Sequence, residues 1–213
     1  MMMIALALAF TPPSVRHVRT TTIAMAATPK SFEDALADAP TLCAALQAGE
    51  APEGLGQFVA SSAGARGFFV HYLTGDEWTC ADKEEVPAAL VSSLQAAKSP
   101  ATVEIMLMNV VMSAATAVAH RRAGREEQAT TSERTSARAG ILVRTMWESL
   151  PELRDSFDAL SEAVQSEFLV EAPPARVAVD EWVAFLARWS YDEEQTQIVA
   201  DALAEIKGAA PKP

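Results

Sequence analysis

The stretch Ser99-Pro100-ATVEIMLMNVVMSAATAVAHRR constrains the fold most. Serine followed by proline is a strong helix start: the hydroxyl caps free backbone N–H groups, and proline suits the first helical position. From there to Val118 the residues are apolar on all sides of a helix. Such a helix lies at the centre of a fold or crosses a membrane. Crossing needs roughly 20 apolar residues, whereas only about 17 lie between the polar ends here, and Glu104 and Asn109 interrupt them. The stretch therefore predicts a central core helix around which the other segments must pack.

Those segments read as helices too. Ser31-Phe32-Glu33-Asp34 is an N-cap followed by first-turn acids, and Pro40 should end the helix it opens. Leu42 and Leu46 share a face, and GEAPEG (49–54) is a turn. Leu55, Phe58 and Val59 start a stripe that Gly64 and Gly67 should interrupt. FFVHYLT then reads as helix, with Gly75 at the position of a C′ glycine. After the polar loop GDEWTCADKEEVP, Pro87 opens a helix through Ala96, and an arginine-rich helix runs from about Gly124 to Trp147. Leu153, Phe157, Leu160, Val164 and Phe168 form an amphipathic stripe; Pro173-Pro174 breaks the chain. Trp182, Phe185, Leu186 and Trp189 form a further stripe, and Val199, Ala202, Leu203 and Ile206 the last. The expectation is an all-α fold: a single multi-helix globular domain over 27–207, about seven or eight helices around the central apolar one, with 208–213 a disordered tail.

The formal net charge is −11 over 213 residues. Residues 1–27 contribute Arg16 and Arg19 and no acid, so loss of that segment takes the charge to −13. So acidic a surface repels nucleic acid and anionic lipid. There is no GxGxxG after a strand, no P-loop, no GxSxG, no HExxH and no EF-hand loop, and the expectation is no cofactor and no metal. Two cysteines make neither a disulfide framework nor a zinc spacing. Cys43, in TLCAAL, reads as a buried small hydrophobe. Cys80, in the polar loop, reads as the more reactive thiol, and the two are redox candidates for a disulfide.

The chain begins MMMIALALAFTPPSVRHVRTTTIAMAATPK. Ile4 to Ala9 is a minimal apolar h-region ending in Ala7-Leu8-Ala9; Phe10 follows; then comes a hydroxyl- and arginine-rich, acid-free stretch closed by Ala24-Met25-Ala26. This order resembles the bipartite leader of nucleus-encoded plastid proteins of algae with secondary red-type plastids, a signal peptide at 1–9 and a transit peptide at 10–26. The missing basic n-region and the short h-region depart from that pattern, and leave a secreted protein and a mitochondrial presequence as alternatives. GARGFFVHYLTGDEW, the Met-rich helix and SERTSAR resemble uncharacterised proteins of cyanobacteria and plastids. The resemblance implies the plastid stroma or the stromal face of the thylakoid; with the lack of catalytic signatures and the acidic surface, it makes a protein partner there the expectation.

Six of the twelve arginines lie between residues 121 and 144, with no lysine among them. Arginine suits planar, bidentate contact with carboxylate or phosphate. Arg134 and Arg138 are one helical turn apart and have no acid four residues away, so their counter-charge must come from another helix, a partner or a bound anion. The candidate ligand- or partner-binding set is Arg134, Arg138, His120, His71, Arg66 and Trp78. A histidine in FFVHYL is more often a hydrogen-bonded core residue, and Trp78 in its acidic loop is either an interface anchor or folded onto the core. Met106, Met108 and Met112 read as core filler. Two functions remain: a non-enzymatic accessory, assembly or regulatory partner of a larger plastid complex, or a small-molecule enzyme or anion-binding protein with an Arg/His-lined pocket. Burial separates them: a closed pocket reached by these side chains favours the second, and arginines paired with acids favour the first.

Overall fold

The computed structural model describes residues 28–29, 31–166 and 177–210. The leader at 1–26, Phe168, Pro173-Pro174 and residues 211–213 lie outside the described residues. Among the described residues the fold is all-helical: α1 (Phe32–Gln47), α2 (Leu55–Ala60), α3 (Ser62–Thr74), a 3-10 turn (Thr79–Asp82), α4 (Ala88–Ala97), α5 (Pro100–Arg122), α6 (Glu126–Met146), α7 (Pro151–Ser166), α8 (Val177–Trp189) and α9 (Glu193–Ala209).

The central helix is α5, which packs against α2, α3, α6, α7 and α9. Its start is fixed as the sequence suggests. Ser99 Oγ accepts from the Thr102 amide at 3.4 Å and donates to Ala60 O at 2.8 Å, which ties the start of α5 to the end of α2. Val103, Met106, Leu107, Val110, Val111 and Ala115 are buried. By length and composition α5 is able to cross a membrane; here those faces are covered by the other helices. An apolar surface is not buried on every side, however. Glu104, Thr116 and Ala119 are exposed, and Met108 and Met112 are only half-buried. Met106→Asp is therefore expected to cost about 4 kcal/mol, since its carboxyl has no polar partner in the core, while Met108→Asp costs well under half of that. Urea midpoints of the two variants check this ordering; equal midpoints would contradict it.

Gly124, at φ 69°, closes α5, and the Arg125 amide donates to His120 O at 2.9 Å. This glycine stop turns the chain back, so α6 lies antiparallel on α5, pinned by Ser136 Oγ donating to Val110 O at 2.9 Å.

Four boundaries differ from the sequence expectation. Pro40 sits inside α1 rather than ending it. The buried face of Ala35, Ala39, Leu42, Cys43 and Leu46 continues across the proline, and its packing outweighs the one lost backbone bond. Gly64 and Gly67 lie within α3, and the break falls earlier, at Ser61, whose Oγ caps the Gly64 amide at 3.0 Å. These glycines serve close packing: a Cβ on Gly64 would lie 1.8 Å from Phe58 O, and one on Gly67 2.5 Å from the Ala35 Cβ. Gly75 follows α3 in extended rather than left-handed backbone, with φ −69°; its missing side chain makes room for the Trp78 ring. Finally, α9 continues to Ala209, and Ala210 is buried, so the expected tail does not start at 208.

Candidate functional site

The arginine-rich helix α6 faces the segment that joins α3 to α4, and that segment supplies the acids. Arg138 is 1% exposed. Its Nε donates to Asp82 Oδ1 at 2.6 Å and its Nη2 to Asp82 Oδ2 at 2.8 Å, a bidentate pair. Its Nη1 donates to Leu73 O at 3.1 Å and Gly75 O at 2.9 Å. One guanidinium thus neutralises a carboxylate and caps the C-terminal carbonyls of α3, where the helix dipole favours a cation. One turn earlier Arg134 pairs with Asp76, and toward the helix end Arg144 holds both oxygens of Glu84 at 2.9 Å. Three arginines along one helix therefore strap Asp76, Asp82 and Glu84 of a single segment. From the other side, Gln47 Oε1 accepts from the Cys80 amide at 2.8 Å and its Nε2 donates to Thr79 Oγ1 at 2.9 Å.

The counter-charge for Arg134 and Arg138 comes from this chain. Among the described residues, none of the other candidates takes part in these ion pairs. Arg66 lies near the start of α3 with its guanidinium 5.0 Å from the centre of the Phe32 ring, a cation–π contact. His71 is half-buried on α3. His120 lies at the end of α5 beside Glu127, Gln128, Thr131 and Ser132, and its buried Nδ1 has no hydrogen-bond partner among the described residues. Trp78 is 9% exposed and folded onto the core, not displayed in an acidic loop. Cys80 is buried too, despite its loop position. Burial raises both thiols; for Cys43 the nearby Cys80 adds to it, and for Cys80 the neighbouring Tyr72 hydroxyl opposes it. Neither is a ready nucleophile at neutral pH. Among the described residues, no three His, Cys, Asp or Glu side chains converge as a metal site.

Asp82 has its pKa lowered, first by the hydrogen bonds from Arg138, with burial acting the other way. A lowered folded-state pKa means that the pair's contribution is complete above the unfolded aspartate value, about 3.9, and is lost as pH falls through the folded value. An NMR titration of the Asp82 carboxyl carbon should show a midpoint below about 3.9; a midpoint at or above it would contradict the strap.

Sequence reasoning missed the partners of Arg122 and one concavity. Arg122 joins α5 to the start of α9 through Asp192 and Glu194. Asp192 is held at about 2 by that arginine and by the Gln195 amide. The run Asp192-Glu193-Glu194, a capping signal, was the available clue. The concavity, about 410 Å³, lies between α5, α6 and α9. Its walls carry Ala137 and Gly140 on α6 and Ala202 on α9, small residues that a polarity-based reading passes over.

A family model described as Uncharacterised conserved protein UCP020893 matches residues 31–206. No curated protein and no solved structure matches the chain.

Proposed function

The chain belongs to the family of that matching model, and on this premise we propose that it acts as a non-enzymatic helical protein of the plastid, an accessory, assembly or regulatory partner of a larger complex in the stroma or on the stromal face of the thylakoid. The observation that carries this reading is the use of the arginines. Arg138 spends its donors on Asp82 and on the end of α3, and Arg134 and Arg144 are each held by an acid of the same segment. An anion site would need at least one of these guanidiniums free and His71, His120 and Arg66 brought beside it. Arg66 and His71 lie at the start and toward the end of α3 and His120 at the end of α5, and among the described residues none of them joins the ion pairs of α6. The plastid address rests on the leader, with Phe10 directly after Ala7-Leu8-Ala9.

The test is expression of the full chain, tagged at its C-terminus, in an alga with a secondary red-type plastid, followed by affinity purification from separated stroma and thylakoid fractions. The expected result is a shortened protein in one of these fractions, eluting in a particle larger than the monomer together with a defined set of plastid proteins. Secretion of the protein, or a monomer with no companion in any fraction, would overturn the reading.

A further inference from the structure

The groove between α6 and α9 gives the accessory reading a surface. Its floor is α5, through Ala114, Ala117 and Val118; its walls are Ala137, Gly140 and Ile141 of α6 and Ile198, Ala202 and Ile206 of α9. The α6 wall runs from Glu133 to Arg144, about 16 Å at 1.5 Å per helical residue. That is an elongated trough of about three helical turns, not the closed cavity of a small ligand. Ile198 is 40% exposed at one end.

The charges on the rim are not balanced. Arg121 is neutralised by Glu133 at 2.5 Å and Glu126 at 3.5 Å, and Arg144 by Glu84. Asp201 and Glu205, on the α9 wall, are exposed and, among the described residues, pair with no cation; Asp201 accepts only an amide bond from Gln197 at 2.8 Å. Like charges four residues apart on a helix repel, and a cation placed across them removes that cost. We propose that this groove is a docking site for a basic amphipathic helix of a partner protein, its apolar side chains reaching α5 between the small residues of the walls and its lysines or arginines meeting Asp201 and Glu205. Helix-in-groove recognition uses this arrangement of apolar anchors and flanking charge. The inference rests on the accessory-protein reading and names the chemistry of the partner.

The full chain is titrated into a fluorescein-labelled amphipathic Leu/Lys helix, and binding is read by anisotropy. The matching Leu/Glu helix and polylysine test charge and apolar face separately. Saturable binding of the Leu/Lys helix alone is expected, weakening with salt. Asp201→Lys with Glu205→Lys should weaken it by about tenfold or more, and so should Ala137→Trp, which fills the groove from an exposed wall position. Glu152→Lys with Asp155→Lys, the same charge change on exposed positions of α7, should leave binding unchanged. Equal loss from the α7 variant, equal binding of polylysine, no effect of Ala137→Trp, or self-association of the chain through this face by light scattering would each overturn the proposal. Absence of plastid companions would overturn the accessory reading while peptide binding remained measurable, so the two failures are distinguishable.

Discussion

Arg138→Gln should lower the unfolding free energy by about 3 kcal/mol, because it leaves buried carbonyls of α3 and the Asp82 carboxylate without their donor. The value is set toward the low end of a buried pair because Asp82 itself is 43% exposed, so water can reach part of it. Arg134→Gln is the internal comparison. Its partner Asp76 is 84% exposed, so the loss should stay under about 1 kcal/mol. Urea unfolding of the two variants, with Asp82→Asn completing a double-mutant cycle for Arg138, reads both numbers. The Arg138–Asp82 coupling should be about 1–3 kcal/mol, and added phosphate should not restore the lost stability. Similar midpoints for the two arginine variants would contradict the unequal roles assigned to them.

Gly64→Ala should destabilise the domain by several kcal/mol, against the sign that helix propensity gives. Alanine in a helix interior gains up to about 1 kcal/mol over glycine. Here its methyl would lie 1.8 Å from Phe58 O and 2.8 Å from Phe58 C, atoms of the backbone at the α2–α3 junction. Neither can move without displacing Phe58, which is fully buried. The loss of packing should exceed the propensity gain. Thermal unfolding separates the alternatives: a fall in midpoint is expected, and an unchanged or raised midpoint would mean that the junction between α2 and α3 is looser than described.

The contrast between Gly64 and Ser99-Pro100 shows where the sequence was informative. Capping signals are local: a serine hydroxyl and a proline ring act on the next turn of their own chain, so α5 begins where its sequence says it should. The stripes of α7 and α9 were legible for the same reason, since amphipathic spacing depends on one helix alone. What Gly64 and Gly67 do depends on Phe58 and Ala35, residues that only the fold brings beside them, and Gly75 makes way for the Trp78 ring in the turn that follows it. Local rules therefore read them as interruptions or stops. Pro40 is the same lesson in reverse, a local stop overridden by a continuous buried face.

At the arginines the sequence revealed a charge imbalance but not its solution. The missing acid four residues from Arg138 told that its partner lay elsewhere; only the packing of the 3-10 turn against α6 identified Asp82. Cys80 reads as the more reactive thiol because polar neighbours mark its segment as exposed, and the same neighbours leave Trp78 open between display and burial. The strap from Arg134, Arg138 and Arg144, with the latch from Gln47, folds that segment inward and buries both. The groove left no sequence signal, because alanine and glycine on helix walls look like filler until two helices are seen to diverge above a third.

The central claim is that the arginine-rich helix is built into the fold and is not a receptor for anions. It is tested most directly by NMR of the arginine side-chain Nε–H groups of the full chain during titration with inorganic phosphate. The account predicts an Arg138 Nε–H signal that is protected from solvent exchange, as a donor held to Asp82 must be, and that does not move as phosphate is added. A saturable shift of the Arg138 signal, with exchange at the rate of a free guanidinium before phosphate is added, would contradict it and return α6 to the role of a binding site.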